Sequence, residues 1–598
     1  MMDLSQALQT VQQVTGIELP FQITATEGPG LTVDWDGGER ATVQAEDATA
    51  LHRGVFLLAR AIRENRKALH VKETRHFAHC GAMLDFSRNG VMTVEGVKKW
   101  IDHQAVLGLN LLMLYTEDTY TVPGYPYFGY LRGRYSEAEL KEMDAYAAEL
   151  GVEMIPCIQT LGHMKQFLQW PSSWELRDMP DILLIDEEKT YQFLDAAIGA
   201  LASAFRSRRI HIGMDEAHGV GLGRYLLQHG YTDRFELLTR HLNRVVDICH
   251  KYGFQPMMWS DMFFRLGSKN NEYYDLDNHV PDRVIASLPP VEQVYWDYYH
   301  TDEKTYDRMM AEHSRMGRAV YAGGVWTWSG FLPNRERSLQ TMMPALRVAA
   351  RRDTDTVFAT LWGDDGAETD YLMAVDRFTL FSEACWTGES FDPEECELAA
   401  ECLTRMPRKL RAVWDRFYAD DWTESTGKIM IWCDPLYPCG VDDGKKEIME
   451  RAAAAALAEL DAFPEWAERT DIHYTKCVFA VVKGKTALTR HLRAAYEKKD
   501  REALLKICRE EIPAVRQAYG ELMAAHRALW ELNRKRQGWE VLALRYGGAI
   551  GRLEDVADEV SRYAEGALPS IQELDDAALP DGKPYFHYDM VSTPSAKT

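Results

Sequence analysis

From about residue 78 to residue 390 one unit recurs: an apolar run, a polar corner and an amphipathic helical pattern. The runs read as strands over Gly81–Asp85, Leu109–Tyr115, Glu153–Thr160, Arg209–Met214, Pro256–Ser260, Gln293–Asp297, Ala319–Val325 and Val357–Trp362. Most are continuously apolar, as parallel strands buried on both faces must be. Helical patterns fall between them at Val94–Leu107, Glu137–Leu150, Tyr191–Phe205, Arg234–Lys251, Glu303–Arg315, Leu339–Arg351 and Ala374–Ala384. Eight such units in roughly 310 residues predict an α/β chain built on a (β/α)8 TIM barrel. A doubly wound open sheet is the alternative, but it would more often carry a Gly-rich phosphate loop, and this sequence has none.

The flanks read differently. Residues 1–74 alternate short strand and helix patterns, a small α+β domain ahead of the barrel at 75–390. From 391 to 598 the pattern is helical, with apolar stripes over Leu398–Met406, Glu447–Phe463, Ile472–Lys498 and Asp500–Ile507, and one long helix expected from Pro513 toward Leu542. The apolar stretch Lys428–Pro435 is expected to touch the barrel. The span Phe264–Pro289 is long for a strand-to-helix connection and lacks periodicity, which predicts an excursion over the barrel rim or toward a neighbouring subunit.

Composition narrows the function. A formal charge of −23 on 598 residues argues against nucleic-acid or anionic-membrane partners and favours a neutral or weakly charged substrate. The 10 cysteines are scattered, with no Cys-x-x-Cys, which fits reduced, cytoplasmic usage and no structural zinc. No basic and apolar leader and no run of membrane-spanning length is read, so the expected location is the cytoplasm.

In a TIM barrel the C-terminal strand ends share one rim, where the loops build the site. Polar and aromatic residues collect there: Asp85, Ser87 and Arg88; Tyr115, Glu117 and Asp118; Gly162 and His163; Asp215, Glu216 and His218; Trp259 and Asp261; Trp296 and Asp297; Trp326 and Trp328; Trp362, Asp364 and Asp365. Any one could be a packing ring or a structural ion pair. Indoles ending strands five to eight, however, make a box the size of one sugar ring, since aromatic faces stack on sugars. The adjacent acids Asp215 and Glu216 close the run Arg209–Met214. Such a pair beside aromatics suits acid catalysis on a sugar, although Asp-Glu also occurs at solvated loop starts.

The segment His211-Ile212-Gly213-Met214-Asp215-Glu216 resembles the catalytic signature of glycoside hydrolase family 20, the β-N-acetylhexosaminidases. Cys80 to Asn89 resembles the family's first strand, Gln159-Thr160-Leu161-Gly162-His163 its strand-three turn, and Leu361-Trp362-Gly363-Asp364 its strand-eight turn. The resemblance covers roughly residues 1–390 and is closest to an intracellular bacterial branch. It implies exo-acting removal of terminal β-linked N-acetylglucosamine or N-acetylgalactosamine, with retention, through an oxazolinium formed by the substrate's own acetamide. It implies no cofactor and no metal. Glu216 would be the general acid and then base, with a pKa raised by burial near the indoles, while Asp215 stays ionised against the acetamide. Trp259, Trp296, Trp326 and Trp362 would wall the sugar with His163, and Asp364 would bond its C4 or C6 hydroxyl. Arg88 and Asp85 would form a structural pair, or serve Asp215 and His163. Two departures stand out. Cys80 occupies the place of an arginine that grips the 3- and 4-hydroxyls in many members. Trp326-Thr327-Trp328 lacks the strand-seven tyrosine for the acetamide carbonyl, a role left to Tyr298 or Tyr299. The implied partner is an N-acetylhexosaminide oligosaccharide or glycoconjugate, and a homodimer through the helical region is compatible with this reading. The rivals are a metal-dependent barrel enzyme using His211, Asp215, Glu216, His218, Asp364 and Asp365, and a non-catalytic sugar-binding protein.

Overall fold

The computed structural model describes residues 2–364, 366–419, 426–437 and 441–576; Asp365 lies outside them. Eight parallel strands close into a barrel. They are His79–Asp85, Leu111–Tyr115, Glu153–Cys157, Arg209–His211, Gln255–Trp259, Glu292–Trp296, Ala319–Gly324 and Thr356–Leu361, numbered one to eight below. All eight expected strands form. Helices such as Val94–Val106, Arg234–Lys251 and Arg335–Arg351 cover them.

Ring closure is uneven. Strand eight pairs with strand one along Thr356–Leu361, but strands three and four share only the pair Cys157 and His211. Side chains continue that seam: Thr160 Oγ1 donates to the Ile212 carbonyl at 2.7 Å, and Met214 N donates to Gln159 Oε1 at 3.1 Å. Strand four ends at His211 rather than Met214, because Gly213 and Met214 adopt φ of 69° and 75° and leave the ladder. The barrel interior is filled by Met83, Met113, Ile155, Met257, Val294 and Phe358, and its rim end is capped by Tyr115, Trp259, Tyr298, Trp326 and Trp362.

Ahead of the barrel, strands Gln22–Glu27, Arg40–Ala45, Leu31–Trp35 and Leu69–Glu73 lie side by side in that order, and helix Ala48–Arg63 packs on them. The last of these strands is not evident in the sequence pattern. Arg53, fully buried, ion-pairs with Glu73 of this sheet and with Glu383 of the helix after strand eight.

The C-terminal region is helical, but the single helix expected from Pro513 to Leu542 is two, Ile512–Asn533 and Trp539–Ala564. Arg534 turns extended and donates to the carbonyls of Ala367 and Thr369 at 2.5 Å each, and Gly538 takes φ 93°. These bonds to the strand-eight loop outweigh the helical pattern. Lys428, on the short helix Thr426–Trp432, pairs with Glu368 at 2.8 Å, and Trp432 Nε1 donates to the same carboxylate, so the expected contact with the barrel is made. Among the described residues no helix is long and apolar enough to cross a membrane.

Candidate active site

At the C-terminal rim a cavity of about 240 Å³ is lined by Arg88, His163, Asp215, Glu216, Trp259, Trp296, Tyr298, Tyr299, Trp328, Trp362 and Asp364. Asp215 and Glu216 are sequence neighbours, and on a regular strand they would face opposite ways. Left-handed backbone at Met214 and Glu216 (φ 75° and 51°) brings both carboxyl groups to the cavity. His163 and Glu117 are also left-handed, at 54° and 45°. Non-glycine residues held there cost of order 1–3 kcal/mol each and cluster where function needs them. The turn also needs Gly213: a Cβ on it would lie 2.2 Å from Gln159 Oε1 and 2.6 Å from the Ile158 carbonyl.

Each acid has its own partners. Asp215 Oδ1 accepts from Gln159 Nε2 at 2.6 Å, and Oδ2 lies 3.1 Å from His163 Nε2. Gln159 Nε2 is also 2.7 Å from the Tyr115 hydroxyl, which accepts from it and donates to Glu117 Oε1 at 3.2 Å. His163 Nε2 stands 3.4 Å from Glu216 Oε2, and its Nδ1 3.7 Å from Glu117 Oε1. None of the contacts at Nε2 is aligned as a hydrogen bond, so charge holds them. Glu216 Oε1 accepts from the Tyr273 hydroxyl at 3.3 Å, and Glu216 N donates to Asp261 Oδ2 at 3.0 Å.

The electrostatics follow from this packing. Burial opposes the charge on His163, but Asp215 and then Glu216 hold its proton well above the ordinary histidine range. Burial likewise works against ionised Asp215, yet the His163 cation and the Gln159 donor keep it below the usual aspartate range. Glu216 departs from expectation. Burial does push its pKa up, but the adjacent His163 cation overcomes that, and the net shift is downward. Burial and the Asp215 charge push Asp261 well above its ordinary value.

Arg88 belongs to the cavity rather than to a purely structural pair. It lies 3.4 Å from Asp364 Oδ1, 3.4 Å from Glu117 Oε1 and 3.5 Å from Asp85 Oδ2, with its guanidinium over the Tyr115 and Trp362 rings. Asp85 turns away, accepting from Ser87 N, Ser87 Oγ and Gly363 N. Cys80, on the same strand, is wholly buried and absent from the lining. Trp362 Nε1 donates to the Tyr298 hydroxyl at 2.9 Å, and Tyr298 stacks on Trp296 at 5.4 Å. Of the expected residues, Asp215, Glu216, His163, Trp259, Trp296, Trp362, Tyr298 and Asp364 come together. Trp326 does not reach the cavity; it is buried at the rim behind the wall, stacked on Trp328, which lines the cavity in its place. Gln159 and Tyr273 were not singled out by sequence. Gln159 stands in the quoted strand-three motif, whereas Tyr273 lies in the aperiodic excursion and gives no signal.

Of the residues recruited by the metal rival, Asp215, Glu216 and Asp364 line the cavity but His211 and His218 do not. His211 is buried against Trp259 and accepts from Gly213 N, while His218 faces Tyr273. Among the described residues no three His, Cys, Asp or Glu side chains are placed to hold a metal ion. A larger cavity, about 720 Å³, lies between the N-terminal sheet and the helices Arg335–Arg351 and Val375–Thr387. It is away from the strand ends and holds no paired acids, so size does not make it the site.

The sequence profile "Glycosyl hydrolase family 20, catalytic domain" matches residues 77–278, and "Glycoside Hydrolase 20C C-terminal domain" matches residues 419–587. The chain belongs to glycoside hydrolase family 20. It is a glycoside hydrolase. Hexosaminidase D of Bos taurus is 28% identical over 306 residues, 47% of this chain and 79% of that protein. Hexosaminidase D of Homo sapiens is 28% identical over 278 residues, 42% of this chain, and the match spans only 52% of its length. Among solved structures, Streptomyces plicatus N-acetyl-beta-hexosaminidase is similar at 19% identity, with a TM-score of 0.49, over 69% of this chain and 88% of that one.

Proposed function

We propose that the chain is an exo-acting β-N-acetylhexosaminidase that releases terminal β-linked N-acetylglucosamine or N-acetylgalactosamine with retention, through an oxazolinium intermediate. The observation that carries this is the consecutive pair Asp215 and Glu216, turned into one small aromatic-walled cavity and bridged by His163. Family 20 enzymes use the substrate's acetamide as nucleophile in place of a second carboxylate.

The residues divide the work as follows. Asp215, held ionised, accepts the acetamide N–H and stabilises the positive ring that forms when the acetamide oxygen attacks C1. Glu216 gives its proton to the glycosidic oxygen as the C1–O bond breaks, then takes a proton from the water that opens the oxazolinium. The Tyr298 hydroxyl accepts from Trp362, so its own O–H is available for the acetamide carbonyl. Trp259, Trp296, Trp328 and Trp362 enclose the ring. Arg88 and Asp364, an ion pair at the cavity edge, take the hydroxyls that Cys80 cannot reach. The small cavity suits one sugar unit at a chain end.

The catalytic role is assigned to residues 75–390, with 1–74 and 391–598 as flanking domains. Cys433 aside, eight described cysteines carry free thiols, seven of them buried, which favours a reducing, cytoplasmic setting. Exposed Leu532 and Leu544 support a homodimer through the helical region, to be checked by light scattering.

The test compares aryl β-N-acetylglucosaminide, aryl β-N-acetylgalactosaminide and aryl β-glucoside. The two amido sugars are expected to turn over and the glucoside, which lacks the nucleophile, to be a very poor substrate. Equal turnover of the glucoside would overturn the mechanism, and loss of activity on chelation would favour the metal rival.

A further inference from the structure

We propose that Tyr273 is a positioning residue for Glu216, turning its single O–H between Glu216 and His218 as the carboxyl group loses and regains its proton. This rests on the hexosaminidase reading above. A phenol has one proton to donate. The Tyr273 oxygen lies 3.3 Å from Glu216 Oε1 and in hydrogen-bonding contact with His218 Nε2; with the His218 proton on Nδ1, two acceptors compete for one hydrogen.

The phenol is presented by an anchored segment. Its ring packs on Trp296 at 5.3 Å with Arg265 over it at 5.2 Å. The next residue, Tyr274, donates to the Trp296 carbonyl at 2.8 Å, and Asn278 Nδ2 donates to the Phe264 carbonyl at 2.6 Å. Burial, then the Glu216 charge, keeps Tyr273 protonated, and burial with Arg265 holds His218 below its ordinary range, neutral and able to accept.

The groups facing Glu216 divide its oxygens. His163 attends Oε2 at 3.4 Å, and Tyr273 attends Oε1. Asp261 takes the backbone N–H; Asp215, His218 and the more distant Tyr299 complete the charged and titratable surroundings. Only the Oε1 partner can swing away without breaking a cationic contact, so Oε1 is the oxygen that delivers the proton. With Glu216 protonated, the Tyr273 O–H points to His218. Once the proton has passed to the glycosidic oxygen, the bonding pair of C1–O goes to that oxygen and the acetamide oxygen bonds C1. Tyr273 then swings to the new carboxylate. When Glu216 takes its proton back from water, Tyr273 returns to His218.

The experiment measures kcat/KM against pH for wild type, Tyr273→Phe and His218→Phe, on an aryl N-acetylglucosaminide and on an N-acetylated disaccharide with a poorer leaving group. Phenylalanine at 273 keeps the ring but removes a donor to the charged form, so the alkaline limb should move up by ~1 pH unit. Phenylalanine at 218 removes the competing acceptor, ties Tyr273 to Glu216 and should move the same limb down. For Tyr273→Phe, kcat should fall further on the disaccharide than on the aryl substrate. Limbs that superpose on wild type in both variants, or a kcat loss equal at every pH and on both substrates, would show a packing role and overturn the proposal. Wild type inactive on both substrates would remove the hexosaminidase reading and this inference with it; an active wild type with unmoved limbs removes only this inference.

Discussion

Replacing Gln159 by Met tests how Asp215 is held. The swap nearly conserves volume and removes both amide N–H donors and the acceptor oxygen. Its Nε2 donates to Asp215 at 2.6 Å and to Tyr115 at 2.7 Å, and its Oε1 accepts from Met214 N at 3.1 Å, all buried. A hydrogen bond to a charged group contributes about 1.5–3 kcal/mol. If that support is felt in full where Asp215 faces the forming oxazolinium, kcat falls by roughly 10- to 150-fold, since ~1.4 kcal/mol is tenfold. Loss of the Oε1 acceptor leaves the Met214 N–H buried and unpaired, a stability cost of about 1–3 kcal/mol. The pH profile gives an independent reading. Asp215 must be ionised, its pKa is held low in part by Gln159, and activity is lost as pH falls through that value. Removing the donor raises it, so the acid limb should move to higher pH. The assay is kcat and kcat/KM on aryl β-N-acetylglucosaminide from strongly acid to neutral pH, with urea unfolding alongside. A variant within twofold of wild type in kcat and with an unmoved acid limb would refute the claim that Gln159 supports the ionised state.

Three further outcomes follow from the same geometry. Because His163 holds both Asp215 and Glu216 below their ordinary ranges, and Glu216 must be protonated to act, wild-type kcat/KM should peak on the acid side and fall as pH rises toward neutrality; a flat profile to neutral pH would contradict it. Arg88→Lys keeps the charge but loses the planar fork, so KM should rise about tenfold or more, the scale of a lost charge-assisted hydrogen bond, with a changed ratio between N-acetylglucosaminide and N-acetylgalactosaminide. Trp328→Ala should raise KM, whereas Trp326→Ala, buried outside the cavity lining, should instead cost about 3–5 kcal/mol of stability and leave KM of the surviving enzyme near wild type.

The barrel was legible because its strands are buried on both faces and therefore continuously apolar, so Ala319–Gly324 or Thr356–Leu361 can be read within a residue or two. Strand four was overextended because Ile212 and Met214 are as apolar as ladder residues, while the left-handed turn that ends it is set by Gly213 and by contacts to Gln159. The acid pair could be read, but not the shift of Glu216. Its cause is His163, on another loop, and sequence shows the burial without the cation. Trp328 could not be told from Trp326, because both stand beyond regular strand where alternation no longer assigns a face. Tyr273 lies in a segment whose only sequence property is want of pattern. The break at Arg534 was invisible for the opposite reason: the helical stripe continues through it, and only the carbonyls of Ala367 and Thr369 draw the chain out.

Where strands three and four meet, main-chain pairing gives way to Gln159 and Thr160, and the same few atoms both fasten the hoop and steady the aspartate. Substitution there is judged twice, once for keeping the wall shut and once for keeping the acid poised. A change at either residue that spared chemistry while loosening the cylinder, or the reverse, would need a second change across the gap to be tolerated.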